Sequence, residues 1–317
     1  MRFVMLTRFH SQHSQGEFVM RLAAAAADAG DSFTIVNPFD VSLNFSQAPA
    51  PSAMGSHNLV NCPVRWRDLP FPAADLVLPV ARWDDEFTWQ VADTLSAWGQ
   101  PVFPSNRVPL GDHITMARLF AQKNIPAPRS WVINSVEQLT VILPELNFPC
   151  VMRSRSGGRG RQFVVAQHSG EALEIAARLA GTGSVMLIQD LTQPWGEDIR
   201  VVMVGNKVVT AVQRFAPPGF MRPRESGNMR VIPAHLSDEE EQVASRAAQI
   251  YGAPFCAVSL LRTPQGPLLI EVSRAPVLAE IEAATGLDLA GTIINHLQAM
   301  AATHGGNVVP MRAQKTT

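Results

Sequence analysis

Two apolar runs, Ala257 to Arg262 and Leu268 to Ser273, flank the turn-forming stretch Thr-Pro-Gln-Gly-Pro, and this pair constrains the chain more than any other segment. Runs of this length, rich in apolar residues and parted by Gly and Pro, read as an antiparallel hairpin. With the turn centred on Gln265, Ser259 stands opposite Glu271, and Ser273 lies two residues further along the same face. Glu271 therefore sits inside the apolar strand Leu-Leu-Ile-Glu-Val-Ser, between two serines. An isolated buried carboxylate is costly, so Glu271 is either salt-bridged, to Arg274 or Arg200, or functional.

A second hairpin precedes it. Ile199 to Val204 and Lys207 to Val212 flank Gly205-Asn206, a two-residue turn. Asp198 and Arg200 bracket Ile199 and share one face, either as a polar ledge beside a ligand or as part of an ion-pair set. Gln189-Asp190 upstream and Arg214, Arg222 and Arg224 downstream belong to the same polar group. Ser237 and Glu240 form a capping box that opens a helix with Val243, Ala247 and Ile250 on its inner face. A last helix runs from about Leu289 to Thr303, and the tail after Gly305 reads as disordered.

The other end of the chain is built differently. Residues 1–7 read as a buried strand, Arg8 to Gly16 as a loop, Glu17 to Asp28 as a helix ended by Gly30, and Ser32 to Val36 as a strand. This β-loop-α-β unit begins a parallel sheet. Residues 46–56 form a surface loop; a strand at Asp75 to Val80 and a helix near Phe87 to Trp98 complete the unit. Pro101 to Pro104 then crosses to a helix that starts at Gly111-Asp112, shows Ile114, Ala117, Phe120 and Ala121 on one face, and stops at Lys123-Asn124 and Pro126. Strands follow at Ser130 to Ile133, Cys150 to Arg153 and Phe163 to Ala166, with helices from Ser135 and over Gly170 to Ala180. Between two of these strands lies Arg153-Ser-Arg-Ser-Gly-Gly-Arg-Gly-Arg161. Its glycines, Gly157, Gly158 and Gly160, free the backbone amides to turn toward an anion, and four arginines add charge. The stretch lacks the Gly-Lys-Ser/Thr ending of a Walker loop; a solvated hairpin loop and a phosphate lid both fit it.

Composition removes several classes of function. A formal charge of -1 over 317 residues excludes a broad grip on nucleic acid. No run approaches the roughly 18 apolar residues of a membrane span, and the amino terminus reads as a strand rather than a signal peptide. Cys62, Cys150 and Cys256 lie far apart and read as reduced thiols of a cytoplasmic protein. His10, His13 and His57 have no metal-ligand spacing.

The order of these pieces resembles the RimK-type ATP-grasp ligases, relatives of glutathione synthetase. The resemblance runs over about residues 1 to 300 and is carried by the Met-Leu-Thr-Arg opening, the Phe-Pro-Ser-Asn crossing and Asn124-Ile-Pro126. It continues through Ile188-Gln189-Asp190, Gly196-x-Asp198-Ile-Arg200, Val204-Gly-x-Lys-Val-Val209, Gly266-Pro-Leu-Leu-Ile-Glu-Val272 and Ile281-Glu-Ala-Ala-Thr-Gly286-x-Asp288-Leu-Ala-Gly291. It implies an α/β fold with a parallel-sheet pre-ATP-grasp domain at 1–104, α+β subdomains at 105–187 and 188–304, and a tail at 305–317. It also implies ATP and magnesium, and the joining of a carboxylate to an amine through an acyl phosphate. By position, Asp190 and Leu191 correspond to the adenine contacts, Asp198 approaches the nucleotide, Arg222 faces the phosphates, and the loop carrying Gly157, Gly158 and Gly160 closes over them; Arg200 and Arg222 are the catalytic candidates.

The departures fall at the chemistry. The phosphate-binding lysines are replaced by Arg153 and His113, and the Asp, Glu and Asn metal ligands by Ser259, Glu271 and Ser273. The Arg-x-Asn step reads Arg222-Pro-Arg224, and the Glu-Tyr pair reads Asp190-Leu191. A ligase with a modified metal site and a non-catalytic paralogue that binds nucleotide, another anion or a protein both follow from this pattern. The arginines point to an acidic substrate or partner, and related enzymes make a homo-oligomer an expectation.

Overall fold

The computed structural model describes residues 1–8, 14–45, 62–81, 85–104, 113–154, 163–180, 185–220 and 229–304. The expected segments at 46–56, at Gly111-Asp112 and after Gly305 lie outside them, as do the three loop histidines.

The chain opens with β1 (Arg2–Leu6), α1 (Ser14–Asp28) and β2 (Ser32–Val36), so the first helix begins before Glu17. A small antiparallel ribbon that the sequence pattern does not announce follows: β3 (Val41–Leu43), β4 (Val64–Trp66) and β5 (Leu69–Pro70). Its strands are two or three residues long, too short to show a period. β6 (Leu76–Pro79) then joins the first sheet, whose order is β2-β1-β6, all parallel. α2 (Glu86–Ala97) is capped by Asp85, which accepts from the Thr88 amide, and its Trp89, Val91, Ala92 and Leu95 are buried.

α3 (His113–Gln122) leads to a four-stranded antiparallel sheet, order β7-β10-β8-β9, formed by β7 (Ser130–Ile133), β8 (Cys150–Ser154), β9 (Phe163–Ala166) and β10 (Met186–Asp190). α4 (Val136–Ile142) and α5 (Ser169–Ala180) cover one face, burying Leu139, Ala172 and Ile175 against Cys150, Met152, Met186 and Ile188. Among the described residues these strands pair only with one another, so the sheet and its helices form a small lobe of their own.

The last part is a five-stranded antiparallel sheet, order β13-β12-β11-β14-β15. Its strands are β11 (Glu197–Val204), β12 (Lys207–Phe215), β13 (Arg230–Pro233), β14 (Phe255–Thr263) and β15 (Gly266–Ser273). α6 (Asp238–Tyr251) starts with the expected capping box and packs on one face with Ile199, Val201, Met203, Cys256 and Val258. Met116 and Phe120 of α3, with Ile125, belong to this same core. On the opposite face Val202, Val204, Val212 and Phe255 pack with α1 and two further helices, α7 (Leu278–Thr285) and α8 (Leu289–His304). Phe3 and Met5 of β1 lie in the same cluster, so the parallel sheet and the large sheet share one core. Among the described residues no helix is long and apolar enough to cross a membrane.

Candidate functional site

Two β-bulges decide which side chains meet on the large sheet. β11 and β12 join through Gly205-Asn206, with Val204 opposite Lys207 and Gly205 at φ 57°. Between Val202 and Met203 the register shifts by one residue, so Asp198 faces Arg214 and not Gln213. In the second hairpin Thr263 pairs with Gly266, which makes the turn the two residues Pro264-Gln265. A bulge between Ser259 and Leu260 then brings Ser259 opposite Glu271, whereas an unbroken ladder would place Ile270 there. A one-residue slip moves a whole strand's side chains to the other face, so each bulge carries a charged group onto the site.

The result is a polar end to an otherwise apolar sheet face. Asp198 and Arg200 continue the row of Val202 and Val204 along β11, with Arg214 beside them on β12, Ser259 on β14, and Glu271 and Ser273 on β15. Arg214 grips Asp198 with a fork: Nε donates to Oδ1 at 2.7 Å and Nη2 to Oδ2 at 2.5 Å. The two side chains are 7% and 6% exposed, so this is a buried ion pair. Ser259 Oγ accepts from Arg200 Nη1 at 2.8 Å and from Arg214 Nη2 at 3.3 Å, and Ser259 is wholly buried. Asp198 thus turns both oxygens to Arg214 and forms an ion pair with it.

Glu271 is half-buried, and its charge and that of Arg274 both act on the buried Tyr251 hydroxyl. Burial pushes the Tyr251 hydroxyl up, against the pull of Arg274, which hydrogen-bonds it. Arg274 Nη2 also donates to the Ala81 carbonyl at 2.5 Å, and its guanidinium lies 5.0 Å from the centre of the Trp89 ring. It ties the end of β15 to the amino-terminal sheet.

The small lobe carries a second set of candidate side chains. Cys150, Met152, Met186 and Ile188 point toward its helices, so by alternation Val151, Arg153, Leu187 and Gln189 point the other way. From that face Arg153 Nη1 reaches His113 at the start of α3, 3.3 Å from Nδ1 and 3.2 Å from Nε2. The two positions of the expected lysines are thus in contact, bridging the small lobe and the helix that packs on the large sheet. Arginine has no acceptor, so the contact is a hydrogen bond only with a neutral imidazole nitrogen.

Asp190 follows the parity of Ile188 and turns toward the helices, where its Oδ2 accepts from Asn147 Nδ2 at 3.0 Å and lies 3.3 Å from Arg129 Nε. Gln189, placed in the same polar group as Asp190 by the sequence, is the neighbour whose side chain lies on the face turned away from the helices, and it donates to Ser130 Oγ at 3.0 Å. Strand alternation within β10 was the signal that separates the two. At Leu191 the backbone amide is 3.4 Å from the Pro149 carbonyl. Arg222 and the glycines Gly157, Gly158 and Gly160 lie outside the described residues.

Whether magnesium fits can be judged from the donors. Of the three expected ligands Glu271 alone carries charge, and among the described residues no three His, Cys, Asp or Glu side chains gather as a metal group. A magnesium ion binds oxygen at about 2.1 Å. At Ser259 Oγ it would have to displace one of the two guanidinium donors that already fill that oxygen's lone pairs. Position 259 therefore does not fit a metal ligand.

Comparisons with known proteins bear on the family and the fold. The RimK-like ATP-grasp domain matches residues 111–297, more than half of the chain. A probable alpha-L-glutamate ligase of Stenotrophomonas maltophilia (strain K279a) is 26% identical over 313 residues, covering 94% of this chain and 98% of that protein. One from Haemophilus influenzae (strain ATCC 51907 / DSM 11121 / KW20 / Rd) is 26% identical over 304 residues, covering 94% and 97%. Among solved structures, the ATP-grasp ligase PsnB complexed with minimal precursor, Mg and ADP superposes with a TM-score of 0.67 at 16% identity, covering 95% of this chain and 97% of its own. A RimK domain ATP-grasp protein from Sphaerobacter thermophilus DSM 20745 gives 0.67 at 18% identity, covering 94% and 100%. At these identities the structures speak to fold.

Proposed function

The chain belongs to the RimK-like ATP-grasp family, and from that premise we propose that it is an ATP-dependent carboxylate–amine ligase whose nucleotide lies between the small lobe and the large sheet. The observation that carries this reading is the contact of Arg153 on the small lobe with His113 at the start of the helix that packs on the large sheet. On the face of the small lobe turned away from its helices, Val151 and Leu187 are buried, with Gln189 at one end of the row and the Arg153 cation at the other, and a base would have to bind beside this covered apolar patch. A triphosphate that enters would take the Arg153 guanidinium from the neutral imidazole, because a charge-assisted bond to phosphate is the stronger one. The adenine contacts we assign to the backbone at Asp190 and Leu191.

In the reaction proposed, a carboxylate oxygen of the substrate attacks the γ-phosphorus and ADP leaves, giving an acyl phosphate. An amine then attacks the acyl carbon, inorganic phosphate departs, and the amine loses a proton to give the amide. Arg153 and Arg222 would neutralise phosphate charge, backbone amides at Gly157, Gly158 and Gly160 would cover it, and Arg200 would act from the sheet below. The name of the relatives suggests L-glutamate as the first amine to try, and the precursor bound to PsnB suggests a peptide carboxylate. We place the reaction in the reducing cytoplasm, where the buried Cys62, Cys150 and Cys256 stay as thiols.

A second reading is favoured by one observation, the occupied hydroxyl of Ser259. It makes the chain a non-catalytic binder of nucleotide or of another anion. Single-turnover ADP formation from radiolabelled ATP, with L-glutamate and an acidic peptide supplied together, separates the two. Stoichiometric ADP with a new amide product supports the ligase; binding without ADP release supports the second reading.

A further inference from the structure

We infer that residue 259 is no metal ligand in this chain but the acceptor that holds two arginines side by side, so that the corner where a family member would place a divalent cation carries guanidinium charge instead. The inference takes only the correspondence of positions from the ligase reading, and the geometry stands without it. Ser259 is wholly buried and pairs across the sheet with Arg200 on one side and Glu271 on the other. A hydroxyl oxygen has two lone pairs. Here Arg200 Nη1 and Arg214 Nη2 meet them at 2.8 and 3.3 Å, and Asp198 locks Arg214 in place from below.

Arg200 and Arg214 bring two positive charges to this corner, where Asp198 and, across the sheet from Ser259, Glu271 bring two negative ones. A carboxylate at 259 would add negative charge toward a cation; a serine adds none. To coordinate a metal, Ser259 would also have to surrender a charge-assisted bond between groups shut away from water, which is costly. The consequence is that at most one divalent ion binds in this region, through Glu271 and whatever anion it accompanies, and that Ser259 works for the folded state in the absence of any metal.

Two measurements test this. The first is urea unfolding of Ser259→Ala in EDTA with no nucleotide present. Loss of the shared acceptor should lower the folded-to-unfolded ratio about tenfold or more, as expected for hydrogen bonds to charged groups. A metal ligand would leave stability in EDTA unchanged, and an unchanged midpoint overturns the inference. The second counts Mn²⁺ by electron paramagnetic resonance on the wild-type chain saturated with AMPPNP. A count of one or none supports the inference, and two bound ions overturn it. If AMPPNP does not bind, the ligase reading fails and the unfolding measurement decides alone. If Ser259→Ala does not accumulate folded, the ion count on the wild-type chain decides alone.

Discussion

Removing Arg214 is the perturbation whose consequence the structure defines best. Arg214→Met keeps a side chain of comparable reach on β12 but strips Asp198 of donors at 2.7 and 2.5 Å and Ser259 of one at 3.3 Å. The Asp198 side chain is 6% exposed, so water does not replace those donors. Leaving one partner of a buried pair uncompensated costs about 3–5 kcal/mol, a large share of the 5–15 kcal/mol that holds a typical domain folded. Asp198→Leu combined with Arg214→Met removes both charges, and a pair replaced by apolar groups is often neutral in stability. The double variant should therefore recover most of the loss, with a coupling energy of about 2 kcal/mol or more in a double-mutant cycle. Urea unfolding in EDTA, followed by far-ultraviolet circular dichroism and extrapolated linearly, supplies the four free energies. An Arg214→Met cost below about 1 kcal/mol, or coupling within about 0.5 kcal/mol of zero, would refute the buried-pair account.

Three further outcomes are expected. Burial alone would raise the Glu240 carboxyl, but hydrogen bonds from Arg262 and the Ser237 amide outweigh it and hold the group below the ordinary glutamate range. A depressed carboxyl stabilises above its unfolded value of about 4.3 and loses that contribution as pH falls through the folded value. Glu240→Gln should thus be destabilised at pH 7 and approach the wild type near pH 3; urea midpoints that stay equally separated at both would argue against this. Gly205 sits at φ 57°, and a Cβ there would meet His296 Cε1 at 3.0 Å. Gly205→Ala should cost about 1–2 kcal/mol from the left-handed backbone alone, with His296→Ala relieving only the steric part; additive thermal shifts in the pair would show no contact. Arg153→Gln should weaken AMPPNP binding about tenfold or more, the worth of a hydrogen bond to a charged group, and calorimetry finding equal affinity would remove Arg153 from the site.

The fold was legible where segments are long and periodic. The β-loop-α-β opening, the capping box at Ser237 and Glu240, and both hairpins at the carboxyl end stand where the pattern puts them. The missed pieces are short or lack a signal: β3 to β5 span two or three residues each, β13 is four residues long, and α7 has eight residues with Glu280, Glu282 and Thr285 scattered around its axis. The pairing of Ser259 with Glu271 was anticipated from a turn centred on Gln265, yet it arises from a two-residue turn and a bulge that together give the same register. The bulge at Val202 was not legible, and so Arg214 opposite Asp198 was not either; bulges depend on tertiary packing more than on local sequence. Asp190 against Gln189 was a matter of strand parity, settled once Ile188 is known to face the helices.

Thermal unfolding with AMPPNP, in magnesium and in EDTA, tests the central claim most directly. At ligand near 100 times its dissociation constant, binding stabilises the folded chain by about 2.7 kcal/mol, a shift of several degrees. The account predicts such a shift in wild type, and its loss in Arg153→Gln. A wild-type midpoint that AMPPNP leaves unmoved in both buffers would contradict a nucleotide site between the small lobe and the large sheet.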